Sequence, residues 1–215
     1  MIFKRFTVDD FDKMDRGFRR NFMNCLSGFK SVNLCGTIDN AGNTNLAIMS
    51  SVVHLGANPS LMGMIIRPSV VPRNTLENIL DTGSFTFNHI TEDMIKGAHQ
   101  TAGRYDKGVS EFQQVGLSEF FSGSVTSPYV DESPLKIGLE FREKIDIKSN
   151  GTHLVVGEVV EVLLKDELIG KDGYIDIQDG GTITIAGLDG YHRTSKVVRL
   201  SHPRPGQELN EQKWK

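Results

Sequence analysis

The chain has 215 residues, a length typical of one domain, so we predict a single domain over residues 1–215. It carries 24 Lys and Arg residues against 27 Asp and Glu residues, and the resulting net charge of −3 argues against a general affinity for nucleic acid. The two cysteines are too few for a disulfide scaffold or a four-cysteine zinc site, so we expect two buried free thiols.

The first predicted element is a helix over residues 7–23, with Thr7 as its cap and Asp9 and Asp10 at its positive end. The central region of a secretory leader is apolar, so these acidic residues argue against a leader here. The longest apolar stretch, residues 154–164, contains two glutamates and is too short to span a bilayer. We therefore expect a cytoplasmic protein that acts neither in a membrane nor on nucleic acid.

From residue 31 the apolar pattern changes to the period of two that is typical of strands. Strands are predicted at residues 31–38, 45–53, 61–66, 85–90, 136–147, 152–164 and, shorter, 182–186. Short helices are predicted at 75–81 and 91–100, and residues 101–134 form a long connection, a kind of segment that is often functional. About six strands with short helices and hairpin turns are typical of a mainly β protein, a six-stranded antiparallel barrel. The polar residues 201–215 are predicted to form an extended C-terminal arm.

Small polar and basic residues concentrate in residues 45–78, where Ser50 and Ser51 follow a strand and Arg73-Asn74-Thr75 begins a helix. The free N–H groups and partial positive charge of a helix N-terminus suit an anion, and an arginine adds a forked donor. The pattern indicates a phosphate site, although ordinary helix caps and a surface charge explain the same residues. No two histidines have the spacing of a helical metal site, and we predict no metal.

Five segments of the chain form an ordered series of motifs. They are Asn45-Leu46-Ala47-Ile48-Met49-Ser50, Asn58-Pro59-Ser60, Arg73-Asn74-Thr75 with Asn78-Ile79, Thr82-Gly83 with Phe85 and Asn88, and Gly157-Glu158-Val159. Together they resemble the flavin reductase-like family of FMN-binding split-barrel proteins, and the later Gly187-Leu188 with Tyr191 resembles part of that family. The chain departs from the family pattern at Ile48 and Ser60, where the family has prolines, and at Asn74, where it has aspartate. These departures bear on substrate choice more than on FMN binding.

The resemblance implies a homodimer with FMN at the dimer interface, its phosphate held by Ser50, Arg73 and Thr75 and its ring against the backbone of residues 45–51. The cofactor-binding residues that it indicates are Asn45, Leu46, Ala47, Ser50, Ser51, Arg67, Arg73, Asn74, Thr75 and Tyr191. His192 is the candidate for a catalytic contact at the nicotinamide or flavin edge, and a solvent-facing turn residue fits its position equally well. No other catalytic group is required, because the cofactor carries the redox chemistry.

Three functions follow from these observations. The first is an oxidoreductase, a flavin reductase that transfers hydride from NADH or NADPH to N5 of FMN, with a monooxygenase or another electron acceptor as its partner. The second is an FMN-containing electron carrier or binding protein of the same fold, without a nicotinamide reaction of its own. A barrel that binds haem or lipid ranks last, because the sequence contains no haem-ligand pairing and no apolar lumen pattern.

Overall fold

The N-terminal segment forms two helices in the computed structural model, which describes residues 1–68 and 73–214. Helix α1 (Val8–Lys13) begins at Thr7, whose backbone N–H donates to the Asp10 carboxylate over 2.7 Å. Helix α2 (Arg16–Cys25) begins anew at Asp15, whose side chain accepts hydrogen bonds from Gly17 N and Phe18 N. The prediction of one continuous helix over 7–23 is therefore wrong, because Asp15 acts as an N-cap in mid-segment.

The structure is mainly β, and its largest sheet is antiparallel, with seven strands in the order β3-β2-β6-β9-β10-β5-β4. Those strands are β2 (Asn33–Ile38), β3 (Thr44–Met49), β4 (Val52–Ala57), β5 (Ser60–Ile66), β6 (Ser84–His89), β9 (Leu135–Ile147) and β10 (Thr152–Leu164). Six strands were expected. The seventh arises because the strand predicted at 45–53 is divided at Ser50 and Ser51 into β3 and β4.

The sheet is strongly curled, because its two edge strands are consecutive in the chain. β3 and β4 lie at opposite ends of the strand order, yet only Ser50 and Ser51 separate them. Three residue steps span at most about 11 Å, so the edges must approach each other there. Across this gap Ser31 Oγ, two residues before β2, donates to the Val52 carbonyl on β4 over 3.1 Å. Ser51 Oγ instead donates to the Ile65 carbonyl on β5, the neighbour of β4, over 2.9 Å. The sheet is thus a barrel left open at Ser50 and Ser51.

The hairpin of β9 and β10 forms the back of this barrel, and the bounds of both strands match the sequence prediction to within one residue. Gly157 on β10 is required for packing, since a Cβ there would lie 2.5 Å from Cζ of the buried Phe85. One hydrophobic core fills the barrel around Phe85 and Phe87. A second core lies on the outer side of β2 and β3, around Leu34 and Leu46.

Short helices cover the two cores. They are α3 (Asn74–Thr82), α4 (Ile95–Gln100) and α5 (Glu111–Val115). Leu76 and Ile79 of α3 pack into the barrel core, whereas Ala98 of α4 and Phe112 of α5 pack into the second core. The described residues contain no helix that is both long enough and apolar enough to cross a membrane.

The remaining strands are short. They are β1 (Lys30–Ser31), β7 (Glu119–Phe120), β8 (Tyr129–Val130), β11 (Thr184–Ala186) and β12 (Gly190–His192), of which β1, β11 and β12 form a three-stranded sheet. The C-terminal arm is not extended throughout, because it folds back on itself where Ser201 N donates to the Asn210 carbonyl over 2.8 Å. Cys35 is buried and Cys25 is exposed, so only one of the two thiols is in the core as expected.

Candidate functional site

The start of α3 is fixed by buried polar contacts to the barrel edge. Arg73 is the N-cap residue, and Asn45 Nδ2 on β3 donates to Thr75 Oγ1 over 3.1 Å. One turn later, Asn78 Nδ2 donates to Thr37 Oγ1 on β2, also over 3.1 Å. Among the described residues these contacts leave the Thr75 hydroxyl proton free to donate. The helix N-terminus is therefore held rigidly against β3, with its first N–H groups available to an anion.

Arginines gather beside this helix N-terminus. Arg73 Nη2 donates to the Pro68 carbonyl over 3.4 Å, which brings Arg73 to the segment that carries Arg67. Burial, and then the like charges of Arg67 and Arg104, lower the pKa of the Arg73 guanidinium. In the described part of the chain, Nε of Arg73 is a buried polar atom without a hydrogen-bond partner. A buried donor without an acceptor is costly, and an anionic ligand beside Arg73 would supply the missing acceptor.

The outward N–H groups of the edge strand β3 are already bonded. Leu46 N donates to Glu111 Oε2 over 2.9 Å, and Ile48 N donates to Thr101 Oγ1 over 2.9 Å. Glu111 is itself buried, and desolvation raises the pKa of its carboxyl group. A ring resting on β3 therefore finds two backbone donors occupied.

The other predicted residues of this strand and its exit differ in access. The Leu46 side chain is fully buried in the second core, so it has no surface to offer a cofactor. Ala47 and Ser50 are half-buried and remain accessible. Ser51 is also half-buried, but its hydroxyl already donates to the Ile65 carbonyl. Of these four residues, Ala47 and Ser50 are the best placed to touch a ligand.

Tyr191 and His192 lie on β12, in the small sheet. The Tyr191 hydroxyl is 2.9 Å from Nδ1 of His99 on α4, and its ring packs against the second core. His192 is exposed and contacts the Phe29 ring edge-on, with 4.9 Å between centroids. In the described ranges, no hydrogen bond or ring contact joins either residue to Arg73 or Thr75. Arg73 and Thr75 thus lie together at the start of α3, whereas Tyr191 and His192 lie on the separate strand β12.

A small polar cleft lies between the β2–β3 turn, the start of α3 and the loop before α5. Its open volume is about 10 Å³, and its walls include Asn45, Asn74 and Lys107. That space admits a water molecule, not a flavin ring.

The sequence analysis did not identify four residues of this region: Arg104, Thr101, Glu111 and His99. All four belong to α4, α5 or the connection between them. The hydrogen bonds of Thr101, Glu111 and His99 join residues that are 53 to 92 positions apart in the chain. The only signal in the sequence was the length of the connection, which indicates function without identifying residues.

A known protein family and several solved structures resemble this chain. The profile of the flavin reductase like domain matches residues 29–180. The chain belongs to the flavin reductase-like family. A solved structure from Shewanella frigidimarina, described as a candidate flavin reductase with a split barrel domain, is 46% identical, with a TM-score of 0.89. The alignment covers 93% of this chain and 100% of that one.

More distant relatives share the fold of this flavin reductase-like protein. Nitrilotriacetate monooxygenase component B from Bacillus cereus is 18% identical with a TM-score of 0.81, over 93% of this chain and 100% of that one. Flavoredoxin of Desulfovibrio vulgaris is 20% identical with a TM-score of 0.70, over 80% of this chain and 90% of that one. At these identities the likeness establishes the fold alone.

Proposed function

We propose that this protein is a flavin reductase that binds FMN and reduces it with NADH or NADPH. The observation that carries the proposal is the arginine group at the start of α3. Within this group, Nε of Arg73 is buried and lacks a hydrogen-bond partner among the described residues. Arg73 also lies next to the free N–H groups of the helix. FMN, when bound, supplies the redox chemistry by accepting a hydride at its N5 atom.

The residues at the start of α3 fit the phosphate of FMN. Arg73 offers a forked, permanently charged donor, and the Thr75 hydroxyl, which accepts from Asn45, keeps its proton for a phosphate oxygen. Ser50 at the barrel gap supplies a further hydroxyl. Arg67 adds positive charge to this surface, as its effect on Arg73 indicates. Asn74, as the first residue of α3, contributes a helix N-terminal N–H group.

The flavin ring is expected to lie beside Ala47 and Ser50, on a surface that a second copy of the chain completes. Helices α1 and α2 contain no buried residue, and Phe18, Leu26 and Phe29 are more than half exposed. Exposed aromatic and aliphatic side chains next to one another are typical of interfaces. These features support a homodimer in which the partner encloses the ring. In solution, sedimentation of the purified chain at twice its monomer mass would support this part of the proposal.

Spectroscopy under anaerobic conditions tests the reductase activity. The purified full chain is mixed with FMN, and NADH or NADPH is then added while the blue absorption band of oxidised flavin is followed. Rapid bleaching is expected for the wild type and a large loss of FMN binding for Arg73→Gln. Arg142→Gln serves as the matched control, because Arg142 is an exposed arginine on β9 that pairs with Glu140 and Glu158. Absence of FMN binding by the wild type would overturn the proposal.

The second function, an FMN-containing electron carrier, is separated by the same experiment. It has support in the position of Tyr191, whose hydroxyl is engaged by His99 and whose strand lies apart from the phosphate residues. A carrier keeps its blue band when NADH or NADPH is added and loses it with dithionite or a reduced partner. For a reductase, the acceptor of the electrons is proposed to be a monooxygenase, by analogy with the component B neighbour.

A further inference from the structure

A third arginine approaches the phosphate residues from a loop that the sequence motifs do not include. Arg104 lies in the connection between α4 and α5, close enough to Arg73 for its positive charge to act on that guanidinium. That connection is fastened to the first turn of α3, since Lys107 Nζ lies 3.5 Å from Glu77 Oε2. Glu77 Oε1 accepts from Arg73 N over 3.4 Å, so one carboxylate ties the loop to the N-cap of the helix.

The three arginines carry more positive charge than the protein around them neutralises. In the described ranges no carboxylate lies within 4.0 Å of the guanidinium groups of Arg67, Arg73 or Arg104, whereas Arg142, Arg193 and Arg199 do form ion pairs. The nearby acid, Glu77, is engaged by Lys107 and by a backbone N–H. Like charges held together in this way destabilise the protein unless an anion neutralises them.

The charge of this group fits a terminal phosphate monoester. A phosphate monoester carries roughly −1.5 to −2 at pH 7 and presents three acceptor oxygens. Three guanidinium groups supply both the charge and the forked donors for such a group. Riboflavin has no phosphate group, so the arginines do not strengthen its binding.

We propose that Arg104 acts with Arg67 and Arg73 as a phosphate-binding residue, and that this residue makes the site select a flavin with a terminal phosphate monoester over riboflavin. The inference rests on the proposed function, because it assigns the specificity of the same site. It adds a residue from the α4–α5 connection and a physical basis for the choice of flavin.

Titration of the full chain with FMN and with riboflavin tests the inference. Arg104→Gln is expected to raise the Kd for FMN at least tenfold and to leave the Kd for riboflavin unchanged. The dependence of FMN affinity on salt should also become weaker, since one charge contact is lost. Arg142→Gln, which removes an exposed arginine elsewhere, should change neither affinity. A thermal melt of each variant checks that the fold is intact, which is expected because Arg104 is exposed.

The outcomes separate this inference from the proposed function. Equal affinity of the wild type for FMN and riboflavin, or an equal loss of both in Arg104→Gln, overturns the inference and leaves the flavin reductase proposal standing. A wild type that binds neither flavin overturns the proposed function. In that case inorganic phosphate is the probe. Broadening of its phosphorus NMR line by the wild type, absent with Arg104→Gln, supports a phosphate site, and no broadening by the wild type overturns it.

Discussion

Acidification from pH 7 to pH 5 is expected to destabilise this protein through His89. This residue ends β6 in a largely buried position, and desolvation alone lowers its pKa to about 4, from an ordinary value near 6.5. Between those two values the unfolded chain binds more protons than the folded chain, so stability falls as the pH falls. Integration of the two titrations gives a loss of about 2 kcal/mol between pH 7 and pH 5.

Urea denaturation of the wild type and of His89→Asn at both pH values measures this effect. Asparagine retains a polar group toward Thr182 Oγ1, which lies 3.1 Å from Nδ1 of His89, but it does not titrate. The difference in unfolding free energy between pH 7 and pH 5 should therefore be smaller in the variant by about 2 kcal/mol. Glu111, whose carboxyl pKa is raised by burial, contributes with the opposite sign in both proteins and cancels. If the stability of both proteins depended on pH in the same way, His89 would not be the cause of the acid destabilisation. An NMR titration of His89 near its ordinary pKa would contradict that role as well.

Two further substitutions test the packing on which the site depends. Thr75→Val should lower the unfolding free energy by about 1–3 kcal/mol, because the buried Asn45 amide loses its acceptor, and should weaken FMN binding. Thr75→Ser, which keeps the hydroxyl, should restore most of both, and a fully stable Thr75→Val protein would contradict this role. Gly157→Ala should cost about 1–3 kcal/mol through overpacking against Phe85. The exposed Val160→Ala on the same strand should change stability by less than about 0.5 kcal/mol in a denaturation experiment, and equal effects of the two would argue against the packing explanation.

Features that local chemistry controls can be predicted from the amino-acid sequence of this protein alone. The alternation of apolar and charged residues along 136–147 and the turn at Asn150-Gly151 define a hairpin, because a strand needs only a period of two and a compatible turn. The residues Arg73-Asn74-Thr75 defined a helix start, and their motif, with four others in order, defined the family.

The way in which the strand edges meet depends on tertiary contacts. An apolar run over 45–53 reads as one strand, and nothing local marks Ser50 and Ser51 as the opening of a barrel. That division follows from seven-strand pairing, which places β3 and β4 at opposite ends of the sheet. Strand order depends on long-range hydrogen bonds, and these have no periodic signature in the chain.

The residues of the candidate site fall into the same two groups: those that a local signal predicts and those that only the fold brings to the site. The start of α3 at Arg73 and Thr75 could be predicted because helix starts carry local signals, and the role of these residues in phosphate binding stays a prediction. Arg104, Glu111 and Thr101 could not, because each approaches β3 or α3 from a connection whose path is set by packing. A charge or hydroxyl in such a loop acquires a role only through the neighbours that the fold gives it, and sequence spacing carries no record of those neighbours.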